Sequence, residues 1–163
     1  MTTEKLDGMA IRFLTAWNSQ QVEAVVACYT DDVSYRDPNT RGVVHGSDAL
    51  RRYLSKLFGA WQMQWFLKEA YPLQEEGGAA ILWRATFQRK NRGRILEVHG
   101  MDIVFLTGDR IKRNEVYFDR MRLLPLLGLS GVLFFVRQMI PRVSKLKSSD
   151  PGGVSPSSVS AGD

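Results

Sequence analysis

Two aspartates lie where their surroundings in the sequence suit acid–base chemistry. Asp37 ends a short alternating segment directly before a proline, and Asp102 lies inside a long apolar segment. Because strand side chains alternate between two faces, Asp37 shares a face with Tyr35, and Asp102 shares one with Val104. If these faces line a cavity, burial raises the pKa of both carboxyl groups. A carboxyl held neutral can then donate a hydrogen bond, while a less buried carboxylate acts as a general base.

Each aspartate also has a structural interpretation that the sequence leaves open. In that interpretation Asp37 is a turn residue whose carboxylate caps nearby backbone amides, as Asp commonly does. Asp102 is instead paired with a cation from a neighbouring strand, Arg84 or Lys112, because an unpaired buried carboxylate is costly. We predict catalytic roles for Asp37 and Asp102, with these structural roles as the alternatives.

Other residue types that often carry chemistry give weaker signals. The two histidines, His45 and His99, lack the spacing of metal ligands, so we predict no metal site and no cofactor. His99 is expected on the outer face of a sheet rather than in a catalytic role. Cys28 is the only cysteine and cannot form an internal disulfide, which favours a reducing, cytoplasmic location.

The hydrophobic pattern predicts helices first and strands afterwards. Helical stripes run from Leu6 to Trp17 and from Val22 to Tyr29, and a third helix is expected from Ser47, its N-cap, to about Gly59. A short strand, 33–37, precedes the third helix, and four longer alternating segments follow it: 62–73, 79–89, 95–106 and 111–118. Helices followed by a run of antiparallel strands indicate an α+β fold.

Several short motifs follow one another in a characteristic order along residues 5–124. They are Trp17-Asn18, Tyr29-Thr30-Asp31-Asp32-Val33, Asp37-Pro38, His45-Gly46, His99 to Val104, Gly108 to Ile111, and Tyr117-Phe118-Asp119. In this order the chain resembles the nuclear-transport-factor-two-like, or SnoaL-like, domains. The resemblance implies a cone-shaped α+β fold, in which a curved antiparallel sheet wraps about three N-terminal helices around one deep apolar pocket, and a homodimer.

Members of that superfamily include ketosteroid isomerases, polyketide cyclases and non-catalytic binding modules. By resemblance to the ketosteroid isomerases, Asp37 takes the position of the proton-shuttling base and Asp102 that of a protonated acid in the oxyanion hole. Phe13 replaces the tyrosine that donates a hydrogen bond from the first helix, which puts steroid isomerisation itself in doubt. The residues expected to line the pocket are Phe13, Trp17, Tyr35, Trp65, Trp83, Asn114 and Phe118.

The net charge of +5 is concentrated near the C-terminus. Six basic residues and no acidic one lie between positions 120 and 147, whereas the residues before them are nearly neutral. A nearly neutral body argues against a nucleic-acid-binding face, so we expect no nucleic-acid partner. Residues 123–147 are apolar and basic but too short in their apolar part for a convincing membrane span.

We expect residues 123–147 to form a helical extension, and three roles for it stay open. It covers the pocket or a dimer surface, it lies on a membrane surface as a peripheral contact, or it binds a protein. The residues expected to make this lid or membrane contact are Phe134, Phe135, Arg137 and Arg142. Residues 148–163, rich in Ser, Gly and Pro, are expected to be a disordered tail.

The sequence thus predicts a cone domain over residues 1–122, followed by the extension and the tail. The predicted function is binding of a small apolar molecule, with isomerase- or cyclase-type carboxylate chemistry on a carbonyl-containing or polycyclic substrate. The alternative is a non-catalytic dimeric module of the same fold that binds a ligand, a protein or a membrane surface.

Overall fold

A computed structural model describes residues 3–90, 93–123 and 126 of the chain. The helices are α1 (Thr3–Ser19), α2 (Val22–Val26) and α3 (Ser47–Ala60), and a 3₁₀ turn covers Arg120–Leu123. The strands are β1 (Tyr29–Arg36), β2 (Val44–His45), β3 (Trp61–Pro72), β4 (Gly78–Arg89), β5 (Ile95–Thr107) and β6 (Arg110–Phe118). The α+β class is therefore confirmed, and the four long strands begin and end within about two residues of the predicted positions.

The six strands form one curved, unclosed sheet in the order β2-β1-β6-β5-β4-β3. Neighbouring strands are antiparallel except β1 and β6, which run parallel and bring Tyr35 opposite Asn114. Irregularities between Leu67 and Glu69 and between Phe105 and Leu106 interrupt the pairing, and such bulges increase local bending and twist. The bent sheet leaves a concave face on which the helices pack.

The helices close this face with the apolar stripes that the sequence predicts. Helix α1 buries residues three and four positions apart, from Leu6 to Trp17, and α3 buries Leu50, Leu54 and Phe58. The strands contribute every second side chain, so that the core lies between the helices and the concave face of the sheet. Tyr35 on β1, Asp102 on β5 and Phe118 on β6 therefore lie on the face of the sheet that packs against α1.

The end of α1 is fastened to β3, an edge strand of the sheet. Asn18 Nδ2 donates to the carbonyl oxygen of Trp65 at 2.9 Å, and its Oδ1 accepts the Trp65 N–H at 2.6 Å. Gln20 makes the same pair of contacts with Trp61 and Met63, at 3.1 and 3.4 Å. These amides satisfy edge groups that would otherwise be open to another strand, and they fix where Trp65 faces the core.

Two local predictions are wrong. Tyr29 is not helical but begins β1, because its backbone pairs with Ile111 and its hydroxyl is held by β6. Ser47 is the first helical residue, and the N-cap is Gly46, whose φ of 81° lies in the left-handed region that glycine favours. Helix α3 ends at Ala60, one residue beyond the predicted end, and passes directly into β3.

The predicted extension and tail lie almost wholly outside the described residues, as do Phe134, Phe135, Arg137 and Arg142. Leu126, the last described residue, is buried against the core. None of the helices among residues 3–90 and 93–123 is long and apolar enough to cross a membrane.

Candidate active site

A narrow cavity between α1 and the concave face of the sheet brings the predicted residues together. Its lining includes Asp37, Asp102 and six of the seven predicted pocket residues: Phe13, Trp17, Tyr35, Trp65, Trp83 and Phe118. Asn114, the seventh, does not line the cavity but lies behind Asp102, to which it is hydrogen-bonded. Whether these residues bind a ligand or catalyse a reaction stays a prediction.

Asp102 is a carboxylate with two neutral hydrogen-bond donors and no cation. Its side chain is buried; Trp83 Nε1 donates to Oδ1 at 2.8 Å, and Asn114 Nδ2 donates to Oδ2 at 3.1 Å. Burial raises the pKa of Asp102 to about 6, although the two hydrogen bonds lower it, and the charge of Asp37 raises it slightly further. Asp102 therefore changes its protonation state close to neutral pH.

Neither cation considered in the sequence analysis is paired with Asp102. Arg84 instead bonds to Glu97 at 3.2 Å, and Lys112 pairs with Asp32 at 3.3 Å, all on exposed side chains. Alternation along β4 places Arg84 on the opposite face from Asp102. Lys112 shares its parity with Asn114, but it is the extra residue at the irregularity opposite Phe105 and Leu106, and its side chain is exposed. The ion-pair interpretation of Asp102 is thus wrong.

Gly100 determines how Trp83 reaches Asp102. Trp83 lies directly opposite Gly100 in the β4–β5 pairing, and Asp102 follows two residues later on the same face. A β-carbon on Gly100 would lie only 2.5 Å from Trp83 Cη2. Because Gly100 has no side chain, the indole ring of Trp83 can lie over its α-carbon and place Nε1 beside the carboxylate of Asp102.

Asn114 links Asp102 to a buried tyrosine. Its Nδ2 donates both to Asp102 and to the Tyr29 hydroxyl, the latter at 3.0 Å. Burial raises the pKa of Tyr29 well above its usual value, as does the charge of Asp102, so the phenol stays protonated. At the floor of the cavity, Asp102 thus titrates near neutral pH, while the neighbouring donor groups of Asn114 and Tyr29 keep their protons.

Asp37 has a different environment, in which all its lone pairs are used. Oδ1 accepts the backbone N–H groups of Asn39 and Thr40, at 2.6 and 3.0 Å, which is the predicted turn-capping role. Oδ2 accepts the hydroxyl of Tyr35 at 2.8 Å and that of Tyr53. Four hydrogen bonds fill the acceptor capacity of a carboxylate, so Asp37 is an anchor as well as a cavity residue.

The walls of the cavity are aromatic. Trp17 packs edge-on against Trp65 with ring centres 5.2 Å apart, and Phe118 lies 6.2 Å from Trp83. The free volume is about 30 Å³, which is room for one or two water molecules. A ligand larger than these can enter only if side chains move, and the lining residues that are not buried are Asn39, Leu57, Val116 and Phe118.

The remaining residues considered in the sequence analysis lie away from the cavity. His99 is exposed on the outer face and contacts Glu97 at 3.1 Å, as expected for a sheet-face residue. Asp119 Oδ1 accepts the backbone N–H of Met121 at 2.9 Å and therefore caps the 3₁₀ turn. Among the described residues no three His, Cys, Asp or Glu side chains come together as metal ligands.

Sequence reasoning missed Tyr53 as a site residue and also several apolar lining residues. Tyr53 lies on α3 and its hydroxyl donates a hydrogen bond to Asp37, and burial raises its pKa. The signal that could have found it is a polar atom on an otherwise apolar helical stripe. The other lining residues are Leu14, Asn39, Leu57, Met63, Phe87 and Val116.

The sequence matches the family model of the SnoaL-like domain over residues 10–114. The chain belongs to this family. A comparison with curated protein sequences finds no significant match. The SnoaL-like match covers β1 to β5 and ends at Asn114, so it contains both residues whose side chains donate hydrogen bonds to Asp102.

Solved structures share the SnoaL-like fold at low sequence identity. A ketosteroid isomerase-like protein from Erwinia carotovora atroseptica is 22% identical, with a TM-score of 0.58 over 71% of this chain and 95% of that one. The epoxide hydrolase/cyclase-like enzyme SalBIII, with a role in pyran ring formation in salinomycin, is 18% identical, with a TM-score of 0.64 over 73% and 94%. An NTF2-like protein of unknown function from Burkholderia pseudomallei is 16% identical, with a TM-score of 0.65 over 77% and 98%.

Proposed function

We propose that this SnoaL-like protein binds a small neutral carbonyl compound and moves a proton on it, as in an isomerase or a cyclase. The observation that carries the proposal is Asp102, a buried carboxylate on an apolar cavity whose pKa lies at about 6. A general base is most effective when its pKa lies near the working pH. The structural similarity to SalBIII, an epoxide hydrolase/cyclase-like enzyme, supports the same class of chemistry.

In the proposed step the Asp102 carboxylate removes a proton from the carbon next to the carbonyl group. The C–H electron pair becomes the new C=C bond, the carbonyl π electrons move to oxygen, and the proton forms the carboxylic acid of Asp102. Where the substrate carries a C=C bond at its β and γ carbons, the product of this step is a dienolate. Returning the proton to its γ-carbon moves the double bond into conjugation, re-forms the carbonyl group and restores the carboxylate. Trp83 and Asn114 hold the carboxylate in place, and their hydrogen bonds lower its pKa by less than burial raises it.

The base role predicted for Asp37 stays open, but its hydrogen bonds support a different one. A carboxylate that already accepts four hydrogen bonds has no free lone pair for a substrate proton. In the proposed function Asp37 orients the hydroxyls of Tyr35 and Tyr53 at the side of the cavity. Asp102 is then the group that exchanges the proton.

The test is exchange of the α-hydrogens of cyclohexanone in D₂O, followed by NMR. The wild-type protein should accelerate exchange over buffer, and Asp102→Asn should remove that acceleration, because a positioned base contributes roughly 10²- to 10⁴-fold. Asp37→Asn should keep a pH profile with an apparent pKa of about 6, the value for Asp102. Full exchange by Asp102→Asn, or none by the wild type, would contradict the proposal.

The expected homodimer is also a proposal, and the outer face of the sheet is where it can be tested. Met101 lies directly opposite Tyr117 on neighbouring strands, and both apolar side chains are exposed. A second copy that covers this pair would bury apolar surface on both chains. The test compares the oligomeric state of Met101→Lys, measured by sedimentation, with that of Ile95→Lys. Ile95, an exposed apolar residue at the start of β5, is the control position.

A further inference from the structure

One buried donor at the cavity has no partner. The indole Nε1 of Trp17 makes no hydrogen bond with any described residue, although the side chain is only 5% exposed. An indole N–H is a donor only, and a buried donor without an acceptor costs roughly 1–3 kcal/mol. Trp17 lines the same cavity as Asp102, so an acceptor that enters this cavity would remove that cost.

The indole N–H faces the Tyr29 hydroxyl, but their geometry falls short of a regular hydrogen bond. This weak hydrogen-bonding contact lowers the pKa of Tyr29, against the larger upward effect of burial. The hydroxyl oxygen already accepts from Asn114 Nδ2, and the phenol hydrogen is donated to none of the described residues. Two unused donors, one from α1 and one from β1, therefore lie side by side.

Phe13 packs against both donors and supplies none itself. Its ring centre lies 6.2 Å from that of Trp17 and 6.0 Å from that of Tyr29, in edge-on contacts. The cavity wall at this position is therefore apolar. The two aromatic neighbours of Phe13 each carry a hydrogen-bond donor, an indole N–H and a phenol hydroxyl.

The electrostatics favour an uncharged acceptor. No residue that lines the cavity, among those the structure describes, is basic, and Asp102 and Asp37 both face it. An anionic ligand would be desolvated next to carboxylates with no compensating cation. A ketone, ester or lactone oxygen has the lone pairs without the charge.

We infer that the indole N–H of Trp17 donates a hydrogen bond to the carbonyl oxygen of the ligand and so selects carbonyl compounds over hydrocarbons of the same shape. This inference rests on the proposed function, because it assigns the oxygen end of the substrate whose α-carbon Asp102 addresses. Electron density that moves onto the carbonyl oxygen during proton removal is then stabilised where it forms.

The experiment compares cyclohexanone with methylenecyclohexane, in which a CH₂ group replaces the oxygen. The two-dimensional ¹H–¹⁵N spectrum shows the indole N–H groups of the four tryptophans, and Trp17→Phe identifies that of Trp17. In the wild type, cyclohexanone should shift the Trp17 indole proton downfield and bind roughly three- to tenfold more tightly than the hydrocarbon, as for one hydrogen bond. Trp17→Phe should bind the two equally.

Trp61→Phe is the matched control, since Trp61 does not line the cavity, and it should keep the preference. Binding of the hydrocarbon reports any change in cavity shape, so the ratio isolates the hydrogen bond. A preference that survives in Trp17→Phe, an unshifted Trp17 indole proton, or a wild type that binds neither probe overturns the inference.

The two proposals fail separately in these experiments. A protein that prefers cyclohexanone through Trp17 but does not exchange its α-hydrogens would contradict proton transfer and support the donor assignment. Exchange that depends on Asp102 while Trp17→Phe keeps the wild-type preference would do the reverse. Asp102→Asn should lose exchange and keep the preference.

Discussion

The indole ring of Trp83 lies over Gly100, in space that a side chain there would fill, and its N–H donates to Asp102 at 2.8 Å. A methyl group at position 100 would meet both the indole and the carbonyl oxygen of Tyr117 on the far strand. The protonation of the candidate catalytic group therefore depends on a glycine that touches no ligand.

Gly100→Ala is expected to move Trp83 and to raise the pKa of Asp102 further, because one of the hydrogen bonds that lower it is weakened. Overpacking at this site should also reduce the free energy of unfolding by roughly 1–3 kcal/mol. Chemical denaturation and an NMR titration of the Asp102 carboxyl carbon measure the two effects. Gly59→Ala, where a β-carbon meets nothing within 4 Å, should show neither effect.

Trp83→Phe provides the same test with less disturbance of packing. It removes the indole N–H and leaves an aromatic ring in the wall, so the pKa of Asp102 should again rise. An unchanged pKa in both variants would mean that the Trp83 hydrogen bond does not control the proton affinity of Asp102.

Asp102→Asn should change how stability depends on pH. The native pKa of about 6 lies above the ordinary 3.8, so between these values the folded protein holds a proton that the unfolded chain releases. Stability therefore falls as pH rises through this window, by about 3 kcal/mol for this group. Asp102→Asn lacks this titration. The unfolding free energy of the variant minus that of the wild type should therefore increase by that amount from about pH 4 to about pH 7.

The matched control for this pH series is Glu97→Gln, which removes an exposed carboxylate on the same strand. Its unfolding free energy should follow the wild type across the window apart from a small constant offset, since surface pairs contribute little. A parallel course for Asp102→Asn would show that Asp102 has an ordinary pKa in the folded protein.

Asn18→Ala should loosen the join between α1 and β3. Two hydrogen bonds to the Trp65 backbone are lost, and we expect a loss of roughly 1–3 kcal/mol in unfolding free energy. Amide hydrogen exchange along β3 should accelerate as well. Gln64→Ala, at an exposed position on the same strand, is the control, and equal effects of the two changes would show that Asn18 has no special role.

The basic segment after the cone should bind anionic lipid vesicles if it makes the predicted membrane contact. Changing Arg137, Arg142, Lys145 and Lys147 to Gln in the full chain should reduce sedimentation with phosphatidylserine vesicles at least tenfold, since each basic residue contributes on the order of 1 kcal/mol. The control changes four basic residues at 89–94, and it should bind as the wild type does. Equal binding by both variants would contradict the membrane contact.

The long strands were predictable because alternation over eight or more residues leaves one register for the buried face. Asp102 was placed on the inner face by parity alone, and Asp37 beside Tyr35 by the same rule. The partners of Asp102 could not be derived in this way. Trp83 reaches it diagonally across Gly100, and Asn114 reaches it from the next strand, so both contacts depend on side-chain directions that a period does not contain.

The double role of Asp37 could not be predicted from the sequence for a related reason. The sequence analysis treated a turn role and a cavity role for Asp37 as alternatives. The carboxylate has both roles, because one oxygen accepts the Asn39 and Thr40 amides and the other accepts the tyrosine hydroxyls. Tyr53 depends on how α3 packs on β1. Tyr29 was read as helical because its spacing fits, and pairing with β6 outweighs that local preference.

The parallel pairing of β1 with β6 also affects the rate at which the domain folds. Asn114 and Tyr29 are 85 residues apart in the chain and meet across these two strands, so the loop that closes between them is among the longest in the domain. Contacts of such high sequence separation form late and slow the folding of a domain. The polar floor of the cavity is therefore completed only when the last strand docks beside the first. Protection of β1 and β6 amides from hydrogen exchange should then disappear only with global unfolding, and the site should be gained and lost together with the whole cone.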